Sequence, residues 1–186
     1  PSDATTPADS GTVTIPPDGG GGGSDGGDAG SVITLPPSKS FVYIGGYNTQ
    51  LRTYALDRTT GALTAKGTPL DVGDNPAYIT QNLTGTRLYV SNESYSGNPA
   101  LSVLSLDAEG LPSKLDRKVT DDGPVFASFD PSGKNLLIAS YNSGFVAVYA
   151  VETDGKLGAL VDKKSFDKPP SADSAQTHSV RVTPDG

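Results

Sequence analysis

Hydrophobic and polar positions alternate in short runs from Phe41 to the end of the chain, and none of these runs has helical periodicity. The runs hold five to seven β-branched, aromatic or aliphatic residues and are bounded by Gly, Pro, Asn or Asp. This pattern is typical of short β-strands joined by tight turns. In the clearest stretch, residues 123–155, it predicts three strands, one before the turn at residues 130–133 and two after it.

The same pattern recurs on both sides of that stretch. The strand-centre residues Ile44, Val90 and Ile138 lie 46 and 48 positions apart, and a turn with Asp and Gly follows the third strand of each unit. Self-similarity at this period, with four short strands in each period, is typical of β-propeller blades. A parallel β-helix has a shorter repeat, and a sandwich needs none. The sequence therefore predicts an all-β chain that forms part of a β-propeller.

The period predicts about three four-stranded blades and the first strand of another. The blades are expected near residues 41–74, 75–122 and 123–174, with the next innermost strand at residues 177–186. The first blade begins at its second strand, because only the weak candidate at residues 31–35 precedes it. Closed propellers have about four to eight blades. We therefore expect C-terminal blades beyond this chain, and we expect the fragment alone to be inactive.

Residues 1–40 differ in composition from the rest of the chain. They hold nine Gly, six Pro and no aromatic residue, and five Asp stand against one Lys. Such a stretch buries too little apolar surface to offset chain entropy, so the sequence predicts a disordered linker before a folded part at residues 41–186. This leader favours an exported protein that is periplasmic, surface-tethered or secreted. A linker inside a cytoplasmic protein is the alternative.

Charge and cysteine content exclude several classes of function. The folded part has 16 acidic and 13 basic residues, so its bulk charge does not attract nucleic acid or an anionic membrane. No apolar run reaches the roughly 18 residues of a membrane-spanning helix. Cysteine is absent, which excludes disulfides, thiolate metal sites and a cysteine nucleophile.

Four motifs in the repeats occur in a characteristic order. They are residues 88–93 (LYVSNE), 123–124 (GP), 140–149 (SYNSGFVAVY) and 176–186 (QTHSVRVTPDG). In this order they resemble the seven-bladed β-propeller lactonase family, which includes the propeller-type 6-phosphogluconolactonases, over three of its seven blades. The resemblance implies hydrolysis of a sugar-type lactone without a cofactor. This chain departs from the family in two respects. A His often follows the Gly-Pro motif, where Val125 stands instead, and of the Pro-His-x-His motif of the fourth blade only the second His, His178, is kept.

Candidate chemistry falls at the borders of the third blade. Propellers bind ligands at a channel mouth, and His178, Glu93 and Tyr141 all lie at strand ends expected to face one mouth. Opening a lactone requires a base that activates water and donors for the oxyanion. We predict His178 and Glu93 as catalytic residues, because imidazole suits a base near neutral pH and a carboxylate can orient it. A structural strand-entry histidine and a solvated loop acid are the alternatives.

The predicted substrate-binding residues are Asn92, Tyr141 and Asn142, although a tight turn alone also accounts for the last two. No metal site is predicted, since Asn142 and Glu93 alone do not make one. No Lys/Arg cluster for a phosphate lies near these positions, and Arg181 is expected on the strand face opposite His178.

Two classes of function remain open at this point. The first is a lactone hydrolase that acts on a small sugar-type lactone. The second is an exported, non-catalytic propeller that binds a protein or polysaccharide partner. The ordered motifs favour the enzyme, whereas the linker and the absent phosphate cluster favour the binding module.

Overall fold

The computed structural model describes residues 12–14, 32–34, 40–94, 97–171 and 175–183. All regular secondary structure in this part of the chain is β-strand, arranged in four antiparallel sheets. The smallest sheet pairs β1 (Thr12–Thr14) with β2 (Val32–Thr34). The other three sheets follow one another along the chain and are the predicted blades.

Each blade is a meander in which neighbouring strands are consecutive in sequence. The first blade has three strands, β3 (Ser40–Ile44), β4 (Gln50–Leu56) and β5 (Leu63–Asp71). The second has four, β6 (Pro76–Gln81), β7 (Arg87–Asn92), β8 (Ala100–Leu106) and β9 (Pro112–Val119). The third also has four, β10 (Pro124–Phe129), β11 (Asn135–Ser140), β12 (Phe145–Val151) and β13 (Leu157–Ser165). The predicted all-β propeller architecture is confirmed.

The second blade is buried on both faces, because alternate residues of its strands point to different neighbours. Leu88 and Val90 of β7 pack into a core shared with the first blade, which contributes Leu51 and Val72. Tyr89, between them, packs into a second core formed with the third blade. A continuous apolar run in the sequence therefore serves two separate interfaces.

Equivalent tyrosine hydrogen bonds connect successive blades. The Tyr43 hydroxyl of the first blade donates to the Gly110 carbonyl of the second at 2.8 Å. The Tyr89 hydroxyl of the second blade donates to the Gly155 carbonyl of the third at 2.6 Å. Both acceptors are turn glycines with positive φ, 71° and 88°, a conformation that favours glycine. Burial raises the pKa of both tyrosines.

The predicted first strand of a further blade, residues 177–186, does not pair as a strand in its described part. Residues 177–183 form no ladder with a described strand and contact the third blade through side chains instead. Thr177 donates to the Ser140 carbonyl at 2.7 Å, and the Ser128 hydroxyl donates to the Val180 carbonyl at 2.7 Å. The presence of a further blade stays a prediction.

The predicted linker, residues 1–40, lies largely outside the described residues. Within it, the pairing of β1 with β2 is a feature that the sequence did not predict. Because β2 pairs with β1 and not with β3, its residues Val32–Thr34 are not the innermost strand of the first blade. Residues 31 and 35 of that candidate lie outside the described residues. Pro36 and Pro37, which lack backbone donors, separate β2 from that blade.

Candidate active site

A cleft of about 710 Å³ lies where the loops that follow the second strands meet the starts of the innermost strands. Of the five residues that the sequence predicts for the site, Glu93, Tyr141 and His178 line this cleft. Asn92 and Asn142 do not belong to its wall. The structure therefore brings both predicted catalytic residues to one cleft.

The first repeated position of the cleft lies three residues after the centre of each second strand. Tyr47, Glu93 and Tyr141 occupy this position in the three blades, at the same 46- and 48-residue spacing as the strand centres. Each of these side chains follows the end of a second strand, by three residues in the first blade and by one residue in the other two. One loop of each blade therefore presents one side chain to the cleft.

The second repeated position is a β-bulge at the start of each innermost strand. The pairing of β6 with β7 passes from Pro76 to Tyr78, and Ala77 is left out of the register. The pairing of β10 with β11 likewise passes over Val125, and both bulge residues line the cleft. A bulge adds an unpaired residue and re-aims its side chain. His178, 53 positions after Val125, takes the equivalent place in the segment beside the third blade.

The His178 side chain is exposed in the cleft and lies against Tyr141. The two rings make an edge-to-face contact with centroids 5.7 Å apart and an interplanar angle of 87°. Thr177, directly before it, places its hydroxyl 2.7 Å from the Ser140 carbonyl and 2.9 Å from the Phe145 carbonyl. These contacts hold the His178 segment against the end of β11, so the imidazole keeps a defined position while its ring remains accessible.

The backbone of Glu93 is held by Asn75, which precedes the innermost strand of the same blade. The Asn75 side-chain amide donates to the Glu93 carbonyl at 2.9 Å, and the Glu93 N–H donates to the Asn75 carbonyl at 3.0 Å. Asn75 has φ of 42°, and Gln176, just before Thr177 and His178, has φ of 53°. Left-handed conformations of non-glycine residues persist only where the surroundings enforce them, and they cluster at functional sites.

Asn92 is fully buried, with 0% of its surface exposed, and its amide is engaged inside the second blade. Its amide nitrogen donates to the Asp74 carbonyl at 3.0 Å. The Ser102 hydroxyl lies 2.7 Å from the Asn92 amide oxygen and 2.7 Å from the Val72 carbonyl oxygen. It can donate its single hydrogen to either of these acceptors. This environment gives Asn92 a structural part in the loop before β6.

Asn142 and Arg181 both lie near the cleft without lining it. The Asn142 amide donates to the Asp122 carboxylate over a long distance of 3.4 Å. The Arg181 guanidinium stacks over the Phe126 ring, with the carbon 5.0 Å from the centroid. Phe126 in turn contacts Tyr78 of the cleft wall, with ring centroids 4.4 Å apart. The Arg181 cation is therefore placed against the aromatic pair of this wall and not in the cleft lining.

Sequence reasoning missed nine of the twelve residues that line the cleft, among them Tyr47, Asn75, Tyr78 and Val125. The repeat itself carries the signal for two of them. Tyr47 stands one period before Glu93, and Val125 stands one period before His178. Comparing whole repeats position by position would have found both.

Within residues 40–94, 97–171 and 175–183, no three His, Asp or Glu side chains cluster as a metal site requires. A mechanism without metal or cofactor stays a prediction. The described part of the chain also contains no helix that is long and apolar enough to cross a membrane.

Comparison with known proteins places the chain in a family. Residues 41–186 match the family model described as Lactonase, 7-bladed beta-propeller. The chain belongs to this lactonase family. The predicted family resemblance is thereby confirmed over the whole of the folded part.

Relatives in the family include proteins with lactonase names. The 6-phosphogluconolactonase of Bacillus subtilis is 29% identical over 132 residues, which cover 68% of this chain and 37% of the relative. A Bacteroides fragilis protein, described as a candidate 6-phosphogluconolactonase, has a crystal structure that matches with a TM-score of 0.69 and 26% identity. That match covers 80% of this chain and 44% of the other. The chain thus spans less than half the length of these relatives.

The periplasmic gluconolactonase of Pseudomonas aeruginosa has the same fold. It matches with a TM-score of 0.61 and 23% identity, over 69% of this chain and 39% of that protein. This likeness supports the propeller architecture.

Proposed function

We propose that the protein containing this chain hydrolyses a sugar-type lactone and that this cleft contributes part of its active site. The observation that carries the proposal is the convergence of Glu93, Tyr141 and His178 on one cleft. These are the residues that family resemblance and repeat spacing select independently of the structure. The name of the B. subtilis relative, 6-phosphogluconolactonase, supports a sugar lactone as the substrate class.

The proposed mechanism uses His178 as the general base. The neutral imidazole accepts a proton from a water molecule, and the water oxygen forms a bond to the lactone carbonyl carbon. The tetrahedral intermediate then collapses, and the bond between that carbon and the ring oxygen breaks. The imidazolium returns the proton to the leaving ring oxygen, which becomes a hydroxyl. The product is the open-chain hydroxy acid, which ionises to its carboxylate.

Glu93 and Tyr141 position the reacting groups in this scheme. The Tyr141 ring lies edge-on to the imidazole and limits its rotation. Glu93, held by Asn75, places a carboxylate in the same cleft that accepts a hydrogen bond from a sugar hydroxyl. We expect the donors for the oxyanion to come from further blades, since the matched regions cover less than half of the relatives' length.

The test measures lactone hydrolysis by the native-length protein on glucono-1,5-lactone and on its 6-phosphate. His178→Ala is expected to lower kcat/KM by about 10²- to 10⁴-fold, which is the range for loss of a general base. Ser179→Ala is the matched control, because Ser179 is an exposed neighbour outside the cleft wall. Equal rates for the parent and His178→Ala would remove His178 from the mechanism.

A non-catalytic sugar-binding propeller is the second candidate function. The exposed aromatic side chains of the cleft favour it, since such rings bind sugars without any catalytic group. The lactone hydrolysis experiment described above also distinguishes the two functions. Absence of hydrolysis by the parent on both lactones, together with saturable binding of a sugar, would support the binding module.

We also propose export, on the composition of residues 1–40. Cell fractionation of the native-length protein tests this proposal. Recovery of the protein only in the cytoplasmic fraction would contradict it.

A further inference from the structure

Tyr47 has an environment unlike that of the other aromatic residues in the cleft. Its side chain is 83% exposed, although it lines the cleft with Tyr78 and Tyr141. A large apolar ring left in solvent gains free energy when a ligand covers it. Within the described residues this ring is left accessible, so a ligand that enters the cleft can cover it.

The backbone under Tyr47 is nevertheless fixed. The Asn48 N–H donates to the Gly46 carbonyl at 2.8 Å, which makes Tyr47 the central residue of a γ-turn. The Asn48 side-chain oxygen then accepts from the Gln50 N–H at 2.7 Å, at the start of β4. At Gly45, a side chain would meet the Pro76 carbonyl at less than contact distance. The loop therefore presents a solvent-exposed ring from a fixed backbone.

The repeat places this ring beside the catalytic candidates. Tyr47 occupies in the first blade the position that Glu93 and Tyr141 occupy in the second and third. Two tyrosines and a carboxylate thus line one cleft from equivalent loops. A carboxylate that accepts from hydroxyls, in one cleft with aromatic rings, suits a flat polyhydroxylated ring with apolar C–H faces.

We infer that Tyr47 is a specificity-determining residue whose ring stacks on the C–H face of a six-membered sugar ring in the cleft. This inference rests on the proposed function for its substrate, but it concerns binding and not the hydrolytic step. Acyclic or small aliphatic esters present no such face and gain nothing from the ring. The Tyr47 subsite therefore selects six-membered-ring lactones over acyclic esters.

Kinetics of the native-length protein test the selectivity. Tyr47→Ala is expected to raise KM for glucono-1,5-lactone by about threefold to tenfold, the equivalent of one lost aromatic contact, with kcat nearly unchanged. Hydrolysis of ethyl acetate, an acyclic ester that presents no ring face, should change by less than about twofold. Tyr47→Phe should restore the parent KM, because the stacking face is kept.

Phe166→Ala is the matched control, since Phe166 is an exposed aromatic residue, 52% accessible, outside the cleft wall. Direct binding of 1,5-anhydroglucitol, a pyranose that cannot be hydrolysed, is followed by saturation-transfer NMR. Tyr47→Ala should weaken this binding by the same threefold to tenfold, and Phe166→Ala should not.

The outcomes separate this inference from the proposed function. If the parent hydrolyses no lactone but its pyranose binding depends on Tyr47, the subsite stands and the lactonase proposal fails. If the parent hydrolyses lactones and Tyr47→Ala leaves KM and binding unchanged, the subsite is overturned. A lower melting temperature for Tyr47→Ala with unchanged binding assigns the ring to packing and also overturns the inference.

Discussion

At the scale of single residues, two neighbours in the sequence have opposite environments. Asn92 is buried with its amide engaged by Ser102 and Asp74, whereas Glu93 lines the cleft. The alternation of a strand places consecutive side chains on opposite sides. Of this pair, only Glu93 is placed to meet a ligand. Asn92 acts on the site by holding the loop from which the innermost strand starts.

Replacing Asn92 should therefore affect stability and not substrate binding. Asn92→Ala is expected to lower the free energy of unfolding by about 2–3 kcal/mol, because it leaves buried polar groups without partners. Measurement of KM on the folded variant should give the parent value. Asn142→Ala, which removes only a long hydrogen bond at 3.4 Å, is the control and should cost less than about 1 kcal/mol. A large rise in KM for Asn92→Ala would contradict this assignment.

At the scale of the elements, the second strands connect neighbouring blades. Tyr43 and Tyr89 occupy equivalent positions one period apart, and each donates across a blade interface to a turn glycine. In the third blade the equivalent residue is Leu137, which has no hydroxyl. The tyrosine bond is therefore a feature of the first two interfaces that the structure describes.

Removal of one hydroxyl tests the strength of such a connection. Tyr89→Phe is expected to lower the free energy of unfolding by about 1 kcal/mol near neutral pH, since the Gly155 carbonyl loses its donor while the ring still packs. Chemical denaturation of both proteins measures the difference. The control is Tyr54→Phe, whose hydroxyl makes no hydrogen bond among the described residues. Its free energy of unfolding should stay close to that of the parent.

The Tyr89 bond also predicts an alkaline pH dependence. Burial raises the pKa of Tyr89, while nearby Arg87 acts in the opposite direction. A group whose pKa is raised by folding contributes its full stabilisation at any pH below its pKa in the unfolded state, which is about 10 for tyrosine. It loses that contribution as the pH rises through its pKa in the folded state. The advantage of the parent over Tyr89→Phe should therefore shrink above about pH 10. A difference that grew with pH would contradict this assignment.

The strands were predictable from the sequence because their signals are local. Turn residues and a period of two identify a strand without knowledge of its neighbours, and the long repeat identifies the blade. The bulges at Ala77 and Val125 were not predictable, since a register shift depends on the partner strand. The burial of Asn92 was missed for the same reason, because Ser102 and Asp74 reach it only in the folded sheet. Local signals thus identified Glu93, Tyr141 and His178 as site residues, but not the residues that hold them in place.

At the scale of the whole molecule, the β1–β2 pair forms a sheet of its own, separate from the sheets of the three blades. Its strands of three residues form a ladder only with each other, and a two-stranded sheet of this size is marginal in water. The stability of the molecule therefore resides in the two cores between the blades.

Deletion of residues 1–39 should leave those cores intact. The native-length protein and the variant that lacks these residues are expected to melt within about 1–2 °C of each other, because little apolar surface is lost. Circular dichroism during heating measures both transitions. A control that removes the ring packed between blades, Tyr89→Ala, should melt several degrees lower. A comparable fall on deletion of residues 1–39 would show that the leader packs on the propeller.

The repeated cleft positions have a consequence for how such a site changes during evolution. Each of the three blades supplies one loop side chain to the cleft, and the second and third also supply a bulge side chain, Ala77 and Val125. Tyr47, Glu93 and Tyr141 belong to neither of the two cores between the blades. A substitution at Tyr47, Glu93 or Tyr141 can therefore exchange an aromatic ring for a carboxylate without moving the backbone. We therefore expect that ligand preference can change one blade at a time, through the side chain at a single loop position, while the backbone of the blades stays the same.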